Sequence, residues 1–345
     1  MATGSGASSE TSRFTCSVVI CAYRLDRVEY AAEAVQSALS QSVPPSEVIV
    51  VVDRVPELLE RLRERLPPAV RLVENRAGRG LSEARNTGVM HAQGEIIAFL
   101  DDDAVAHPDW LRFLSMAFAD PKVLAAGGRA VPVWLGSGCR PYWLPEELDW
   151  LIGCTYKGFA NGVQFVRNVH GSNMCFRRTA FGIVGEFDPR LGGPVFGDDT
   201  EICIRIVSRP EEYIVSYDSR AIVWHKVPIV RQRWRYCVRH AFEAGVGKEV
   251  IRTLHGKSTD ALSAEKSYLR QVFTGFLPPR LLGVLELNGE AVAQIGTMLA
   301  VMTAVAAGHV WLWLASHLFR GTLSYRGQSL THSRPAATGG FPAHK

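Results

Sequence analysis

The sequence predicts an α/β protein: a mostly parallel sheet with helices on both faces, followed by a helical, membrane-associated C-terminal region. Three observations predict this class. Over the first hundred residues, short apolar runs rich in β-branched residues alternate with segments of helical spacing, which is typical of a parallel sheet buried on both faces. Two of these runs end in Asp, at the strand ends where ligands of such sheets bind. Residues 291–319 contain no Asp, Glu, Lys or Arg.

The pattern predicts each element in turn. Buried strands are expected at residues 15–21, 47–53, 70–73 and 95–100. Helices are expected between them at 26–40, 56–66 and 82–91, the last capped by Ser82. A later block predicts a strand at 173–177, a helix at 200–207, strands at 213–217 and 221–224, and a basic helix at 230–245.

Composition limits the class of protein. The chain has 345 residues, of which 47% are apolar and 21% charged, and a formal net charge of +4. These values exclude a disordered, collagen-like or coiled-coil chain, and the length allows one large domain or two. The seven cysteines include no CxxC pair, which predicts a reducing compartment with neither a disulfide framework nor a zinc site. No nucleic-acid partner is expected.

An acidic run stands directly after an apolar strand: Asp101, Asp102 and Asp103 follow the residues IIAFL. Adjacent carboxylates repel one another and are costly at an apolar strand end unless cations neutralise them. One or two carboxylates together with substrate phosphates are the usual ligands of Mg²⁺. The run therefore favours a divalent metal site, with a solvated acidic turn as the alternative.

Five motifs follow one another between residues 15 and 207: SVVICAYR, VVD, NRAGRGLSEARNTG, FLDDD and GDDTEICIR. In type and order they resemble the motifs of the family 2 glycosyltransferases, enzymes of the GT-A fold with a Rossmann-like nucleotide-binding sheet. The segment PYWLPEELDWLIGCTYKG resembles part of the archaeal and actinobacterial enzymes that glycosylate polyprenyl-phosphate-linked sugars. We expect a catalytic domain over 14–228, a basic helical region over 229–290, an apolar membrane-associated segment over 291–319, and flexible tails at 1–13 and 320–345.

The resemblance implies a set of donor-binding residues, which are Ala22, Tyr23, Asp53, Arg76, Gly80 and Arg85. Tyr23 and the residue before it would line the pocket for the base, and Asp53 would accept a hydrogen bond from the base or the ribose. In the glycine loop, a guanidinium suits contact with base or phosphate, and glycine allows close backbone approach. A solvent-exposed loop cation is the alternative for each Arg.

The resemblance also implies the metal ligands. In the family's aspartate–any–aspartate motif the first acid often faces the ribose and the last holds the metal. The matching residues are Asp101 and Asp103, with Asp102 as the variable middle position, and a shift of one residue stays open because all three are Asp. His225 follows a predicted strand, as does the late His that many GT-A enzymes use as a further ligand of Mg²⁺ or Mn²⁺. A structural histidine is the alternative.

On the acceptor side, the resemblance identifies Asp199 as the base that takes the proton of the acceptor hydroxyl, while Asp198 stands where the family usually has Glu. A carboxylate beside another acid can have its pKa raised toward the working pH. The alternative is an acid that caps a helix. Ser172 and Asn173 are expected to contact the sugar or the acceptor, or to make a turn.

The C-terminal third is expected to bind a membrane. Residues 291–319 are long enough to span a bilayer, while a helix lying in the interface and a helix packed on the protein are the alternatives. Arg231, Arg235 and Arg239 share one face of the predicted helix 230–245, which suits anionic headgroups or a lipid phosphate. A solvated helix face is the alternative. Because nucleotide sugars are cytoplasmic, we expect the protein to lie at the cytoplasmic face of the cell membrane.

Together these expectations describe a metal-dependent, inverting glycosyltransferase of the hexosyltransferase type. One attack by a hydroxyl group opposite the leaving group needs one base, which the single motif with Asp199 supplies. The expected donor is a UDP- or GDP-linked sugar, and the expected acceptor is a lipid-linked glycan, such as a polyprenyl-phosphate-linked one, or a cell-envelope glycan. The alternatives are a nucleotidyltransferase and a non-catalytic nucleotide-sugar-binding membrane protein.

Overall fold

The computed structural model describes residues 14–136, 138–193, 196–256 and 263–318, together with the two short strands Ser324–Tyr325 and Gln328–Ser329. The predicted tail 1–13 and most of the predicted tail 320–345 lie outside the described residues.

The first hundred residues alternate strand and helix as predicted. The elements are β1 (Cys16–Ala22), α1 (Val28–Leu39), β2 (Glu47–Val52), α2 (Pro56–Arg65), β3 (Arg71–Glu74), α3 (Leu81–His91) and β4 (Ile96–Asp101). Successive side chains of β1 enter opposite cores. Val18 and Ile20 join the core that contains residues of α1 and α2, whereas Val19 joins the core that contains α3. Both faces of the sheet are therefore covered, which explains why these strands lack polar alternation.

The second half completes one mixed sheet. Its elements are β5 (Ala104–Ala106), α4 (Trp110–Ala117), β6 (Val123–Trp134), β7 (Val163–Val166), β8 (Asn173–Arg177), α5 (Ala180–Val184), α6 (Asp198–Val207) and β9 (Ile214–Val227). The strand order is β3-β2-β1-β4-β8-β6-β9-β5, with β7 on β9. The first four strands are parallel, β8 is antiparallel to both of its neighbours, and β6 and β9 are parallel. The predicted α/β class is confirmed.

Two local predictions are wrong. Ser82 does not cap α3, because the helix begins at Leu81 after Gly80 and Ser82 lies in its first turn, where its hydroxyl donates to the Leu191 carbonyl. The two strands predicted at 213–217 and 221–224 are one strand, β9. The polar residues between them form an irregularity in the pairing with β6, where Gly128 pairs with Asp218 and Arg129 with Ile222. Long-range pairing therefore overrides the local turn signal.

The C-terminal region is helical. It contains α7 (Trp234–His255), α8 (Ser263–Gln271), a π-helical turn (Val272–Phe276), α9 (Leu277–Leu285) and α10 (Gly289–Leu318). The predicted stripe of three Arg residues on one helix face is wrong, because α7 begins only at Trp234 and Arg231 lies in a preceding 3-10 turn, Ile229–Gln232.

Helix α10 packs on α7 through glycines. A Cβ atom added to Gly308 would lie 2.1 Å from the Phe242 carbonyl oxygen, and one added to Gly245 would lie 2.1 Å from that of Val305. Only glycine permits this approach of two helix backbones. Beside the crossing, His309 Nε2 lies 3.1 Å from Glu249 Oε2, and the Glu249 side chain is buried. One face of α10 is therefore part of the protein core.

Substituting these glycines tests the packing. We expect Gly308→Ala to lower the free energy of unfolding by about 1–3 kcal/mol, because the added methyl group overpacks the helix crossing. Gly296→Ala on the same helix is the control, since a Cβ atom there meets nothing within 4 Å, and it should be neutral or stabilising. Thermal unfolding of the purified variants measures both. Equal effects would contradict the packing of α10 on α7.

The opposite face of α10 is apolar and exposed. Val292, Leu299 and Val310 lie on it, and Trp313 and Leu314 continue it toward the end of the helix. In the described part of the chain, α10 is the one helix that is long and apolar enough to cross a membrane. The neighbouring α9 adds Leu281, Leu282 and Leu285, all more than half exposed. These exposed apolar side chains of the two helices are here called the α9–α10 face.

Candidate active site

The acidic run stands at the carboxyl end of β4 and meets His225 of β9. Asp101 is the last residue of β4, and the next two acids lie in the turn before β5. Because β5 pairs antiparallel with β9, Ala104 stands opposite His225. His225 Nε2 consequently lies 3.2 Å from Asp103 Oδ1 and 3.7 Å from Asp101 Oδ2.

Two arginines contribute positive charge to this cluster. Arg27 Nη1 lies 2.8 Å from Asp102 Oδ1 and 2.9 Å from Asp103 Oδ2, and Arg231 Nη2 lies 3.6 Å from Asp103 Oδ2. Burial would raise the pKa of Asp103, but the charge and hydrogen bond of His225, together with the charges of Arg231 and Arg27, outweigh it and hold that pKa well below its usual range. Burial and the charge of Asp103 raise the pKa of Asp102 to about 7.

The cluster fits a divalent cation. One ligand atom from each of Asp101, Asp103 and His225 can be chosen so that all three lie within 4.8 Å of one another. Two carboxylates and an imidazole form a donor set that suits Mg²⁺ or Mn²⁺. Burial would lower the pKa of His225, but the charge of Asp103 and the hydrogen bonds with Asp101, Asp103 and Cys154 outweigh it and raise that pKa well above its usual value. Among the described residues, Arg27 and Arg231 form ion pairs with the buried Oδ2 atom of Asp103, but no donor reaches it with the geometry of a hydrogen bond.

A second pair of acids begins α6. The Asp199 carboxylate accepts hydrogen bonds from the backbone N–H groups of Gly171, at 2.7 Å, and Thr200, at 2.6 Å, and it lines the central cavity. Asp198 is buried and accepts hydrogen bonds from Arg85 Nη1, at 2.6 Å, and Ser82 Oγ, at 3.1 Å. Burial raises the pKa of Asp198, although Arg85 opposes the shift. Of the two acids, Asp199 is the more open to a ligand.

The predicted donor residues divide into two groups. Tyr23 and Arg85 line the cavity; Tyr23 is exposed, and Arg85 is buried, with its guanidinium between Asp198 and Asp101. Four others do not line it in this structure: Ala22, Asp53, Arg76 and Gly80.

The glycine loop is held by Asp53. The Asp53 carboxylate accepts hydrogen bonds from Asn75 Nδ2, at 2.7 Å, and from the backbone N–H of Gly80, at 3.0 Å. Gly80 has a φ of +128°, which favours glycine. The Arg76 side chain is 86% exposed and pairs with Glu74. Asp53 therefore fixes the loop, whereas Arg76 extends into solvent.

The two predicted acceptor-side residues differ. Ser172 lines the cavity, and its hydroxyl lies 3.0 Å from Nδ1 of His170. Asn173 is fully buried outside the cavity lining. Its amide donates to the carbonyls of Arg129 and Ala221 and accepts from Trp110 Nε1. Because these bonds occupy its amide, Asn173 joins strands of the core.

The cavity continues well beyond the acids. Its volume is about 1150 Å³. One end contains the two acidic groups, and the other, here called the apolar lobe, lies between the segment Glu146–Ile152 and helices α7, α8 and α10. Side chains that line the lobe include Trp150, Tyr156, Tyr268, Met298, Met302 and Val305.

Comparisons with known proteins identify the family. Residues 17–183 match the model of glycosyl transferase family 2. A glucosyl-dolichyl phosphate glucuronosyltransferase of Haloferax volcanii is 33% identical to the chain over 316 residues, which are 89% of this chain and 98% of that protein. The chain belongs to glycosyl transferase family 2. The predicted glycosyltransferase activity agrees with this membership.

Solved structures agree on the fold of this glycosyltransferase. The mannosyltransferase PcManGT from Pyrobaculum calidifontis, in complex with GDP-Man and Mn²⁺, superposes with a TM-score of 0.53 at 20% identity, covering 89% of this chain and 80% of that one. GalNAc-T7 with UDP, GalNAc and Mn²⁺ gives a TM-score of 0.50 at 16% identity, covering 75% of this chain and 54% of that one. The predicted GT-A fold is confirmed.

The glycosyltransferase also contains cavity residues that the sequence did not predict. They are Arg27, Cys154, Arg167, His170, Lys248 and Glu265. Cys154 Sγ lies 3.8 Å from Nδ1 of His225, on the side of the ring away from the acids. Two of them lie in segments that carried a local signal: Cys154 in PYWLPEELDWLIGCTYKG, and His170 in the run VHGSN beside Ser172 and Asn173. The others lie on elements distant in sequence, which only the fold brings together.

Proposed function

We propose that the protein is an inverting glycosyltransferase that moves a sugar from a UDP- or GDP-linked donor to a hydroxyl group of a saccharide carried on a polyprenyl phosphate. The observation that best supports it is the continuous cavity that joins Asp101, Asp103 and Asp199 to the apolar lobe beside α10. The Haloferax relative is named for an acceptor of that class, glucosyl-dolichyl phosphate. The named complexes of the two structural neighbours contain GDP-Man or UDP, together with Mn²⁺.

At the donor end, Tyr23, which follows the buried Ala22 at the end of β1, packs against the base, and Asp101 faces the ribose. Asp53 and Gly80 shape the loop that approaches the nucleotide, and the same loop carries Arg76. Asp101, Asp103 and His225 would hold Mg²⁺ or Mn²⁺, whereas Asp102 stays paired with Arg27. A cation held there would neutralise charge on the diphosphate leaving group.

At the acceptor end, Asp199 is the general base. Its two hydrogen bonds from backbone N–H groups fix the carboxylate at the cavity wall, within reach of a hydroxyl group that enters there. Asp199 takes the proton while the hydroxyl oxygen attacks the anomeric carbon from the side opposite the diphosphate, so the configuration inverts. Asp198 positions Arg85 and the start of α6, and Ser172 contacts the acceptor sugar.

A donor panel tests the proposed function. The full-length protein in a neutral detergent is incubated with UDP-glucose, UDP-glucuronate or GDP-mannose and with glucosylated citronellyl phosphate, in the presence of Mg²⁺, Mn²⁺ or EDTA. We expect metal-dependent release of nucleoside diphosphate with one donor, and a product whose new linkage has the inverted configuration by NMR. Release of pyrophosphate, or retention of configuration, would contradict the proposal.

We further propose that the α9–α10 face lies in the cytoplasmic leaflet of the cell membrane without spanning it. The buried Glu249 pairs with His309 and also binds Arg252, which is 30% exposed on α7. A span by α10 would bring this charged pair into the hydrocarbon core, which is costly. A helix that lies in the interface keeps the charges on the protein side and places Trp311 and Trp313 at headgroup level.

Charged substitutions test the membrane contact without removing the helix. We expect the double variant Val292→Glu, Leu299→Glu to move from the membrane fraction to the soluble fraction of lysed cells, because both side chains are about half exposed on the α9–α10 face and neither lines the cavity. Met116→Glu on α4, which is similarly exposed, is the control and should leave the distribution unchanged. Fractionation with immunoblotting measures both. An unchanged distribution of the double variant would exclude this face as the tether.

A further inference from the structure

Three charged side chains of the cavity have no part in the mechanism above. Arg167 follows β7, Lys248 lies on α7, and Glu265 lies on α8. The two Nη atoms of Arg167 donate hydrogen bonds to the Glu265 carboxylate. Nη2 lies 3.0 Å from Oε1, and Nη1 binds Oε2. Lys248 Nζ lies 2.6 Å from Oε1. All three side chains line the cavity and are less than a third exposed.

This cluster stands between the base and the apolar lobe. On one side, Asn168, the neighbour of Arg167, donates a hydrogen bond of 3.3 Å to the hydroxyl of Thr200, which follows Asp199. On the other side, Tyr268 is on the same helix as Glu265, one turn further along, and its ring packs at 5.1 Å on that of Tyr156 in the lobe. An acceptor with its sugar at Asp199 and its lipid in the lobe passes the cluster in between.

The charges of the cluster suit an anion. Two cations face one carboxylate, which leaves a net charge of +1. The guanidinium fork and the ammonium group surround the two oxygens of the Glu265 carboxylate. The same arrangement of cations binds phosphate in proteins. Burial would raise the pKa of Glu265, but Lys248 and Arg167 outweigh it and lower that pKa to about 2, so Glu265 stays ionised. The carboxylate therefore occupies a position that an anionic group of a ligand can take.

We propose that Arg167 and Lys248 bind the phosphate that links the acceptor saccharide to its lipid, and that Glu265 occupies this position until the acceptor displaces it. The inference rests on the proposed function, because it takes the acceptor to be phosphate-linked. Removal of either cation and removal of the carboxylate should therefore have opposite effects on acceptor binding, whereas in a purely structural ion cluster they would have the same effect.

Two matched acceptors test it: glucosylated citronellyl phosphate and citronellyl glucoside, which have the same sugar and chain but differ in the phosphate. Transfer by the full-length wild type, Arg167→Gln, Lys248→Gln and Glu265→Gln is measured in neutral detergent. We expect each cation variant to raise KM for the phosphate acceptor about tenfold or more and to leave KM for the glucoside unchanged. Glu265→Gln should lower KM for the phosphate acceptor several-fold. Donor hydrolysis in the absence of acceptor should not change.

The outcomes separate the alternatives. If Glu265→Gln raises KM as the cation variants do, with a matching loss of thermal stability, the cluster is structural only and the inference is wrong. If the wild type uses both acceptors equally, the phosphate assignment is wrong while the proposed function stands. If the wild type transfers sugar to neither acceptor, the proposed function itself fails. If the cation variants instead lose binding to phosphatidylglycerol vesicles and keep wild-type KM values, the cations contact bulk anionic lipid, which also overturns the inference.

Discussion

Asp199→Asn is expected to lower kcat for sugar transfer by about a hundredfold to ten-thousandfold, the range of a general base, while the dissociation constant of the donor nucleotide stays near wild type. The amide has nearly the same shape and still accepts one of the two backbone hydrogen bonds that hold the carboxylate. It takes no proton from the acceptor hydroxyl at neutral pH. Steady-state transfer rates and calorimetric titration with UDP or GDP measure the two quantities.

The control for this prediction is Asp188→Asn. Asp188 also belongs to a local hydrogen-bonded pair, with Arg190, but it does not line the cavity. Its variant should keep wild-type transfer. Transfer by Asp199→Asn within a few-fold of wild type would mean that the carboxylate only stabilises the start of α6 and that the base lies elsewhere. His170, which lines the same cavity, would then be the next residue to substitute.

The fold of the first hundred residues follows from the sequence because its signals are local. Strands β1, β2 and β4 are continuous apolar runs, and each must be buried on both faces. Such runs leave few alternatives for the class of sheet. The order of strands in the second half does not follow from local signals. Strand β9 pairs with β6, β5 and β7, which lie far apart in sequence. No periodicity within one segment shows which of these pairings forms.

In the candidate site, too, some residues were predictable from local sequence and others depend on long-range contacts. The carboxylates of Asp101 and Asp103 were predictable because they follow a strand whose end must face the ligand edge of the sheet. The opposite charges of Arg27 and Arg231 were not, because a turn before α1 and a turn before α7 bring them there. A sequence shows which chemical groups are present, whereas the direction of a side chain depends on its packing.

Asn173 and Asp53 are polar residues whose hydrogen-bond partners the sequence did not show. For Asp53 the resemblance implied a hydrogen bond to the base or the ribose, and for Asn173 a contact with the sugar or the acceptor stood beside a turn as the alternative. In the structure each satisfies backbone or amide groups of the protein: Asn173 joins core strands, and Asp53 holds the glycine loop. Buried polar side chains need hydrogen-bond partners, and the nearest partners here belong to the chain itself.

Asp103→Asn is expected to abolish metal-dependent turnover, with a loss on the order of a hundredfold or more. Asp103 is the acid closest to His225, and its buried carboxylate faces three cationic side chains. An amide carries no charge to attract Mg²⁺ or Mn²⁺, so the affinity for the ion should fall together with the rate. Mn²⁺ binding followed by electron paramagnetic resonance gives a readout that does not depend on turnover.

Loss of folding would produce the same loss of activity, so a matched variant is needed. Asp149 is similarly buried and forms two hydrogen bonds with Arg140, at 2.6 and 2.8 Å, but it does not line the cavity. Asp149→Asn should therefore lower thermal stability as a broken buried pair does, yet keep wild-type Mn²⁺ affinity. Asp103→Asn should lose Mn²⁺ affinity at a melting temperature no lower than that of the control. Wild-type Mn²⁺ affinity and turnover in Asp103→Asn would mean that His225 and the arginines are the only cations this cluster needs.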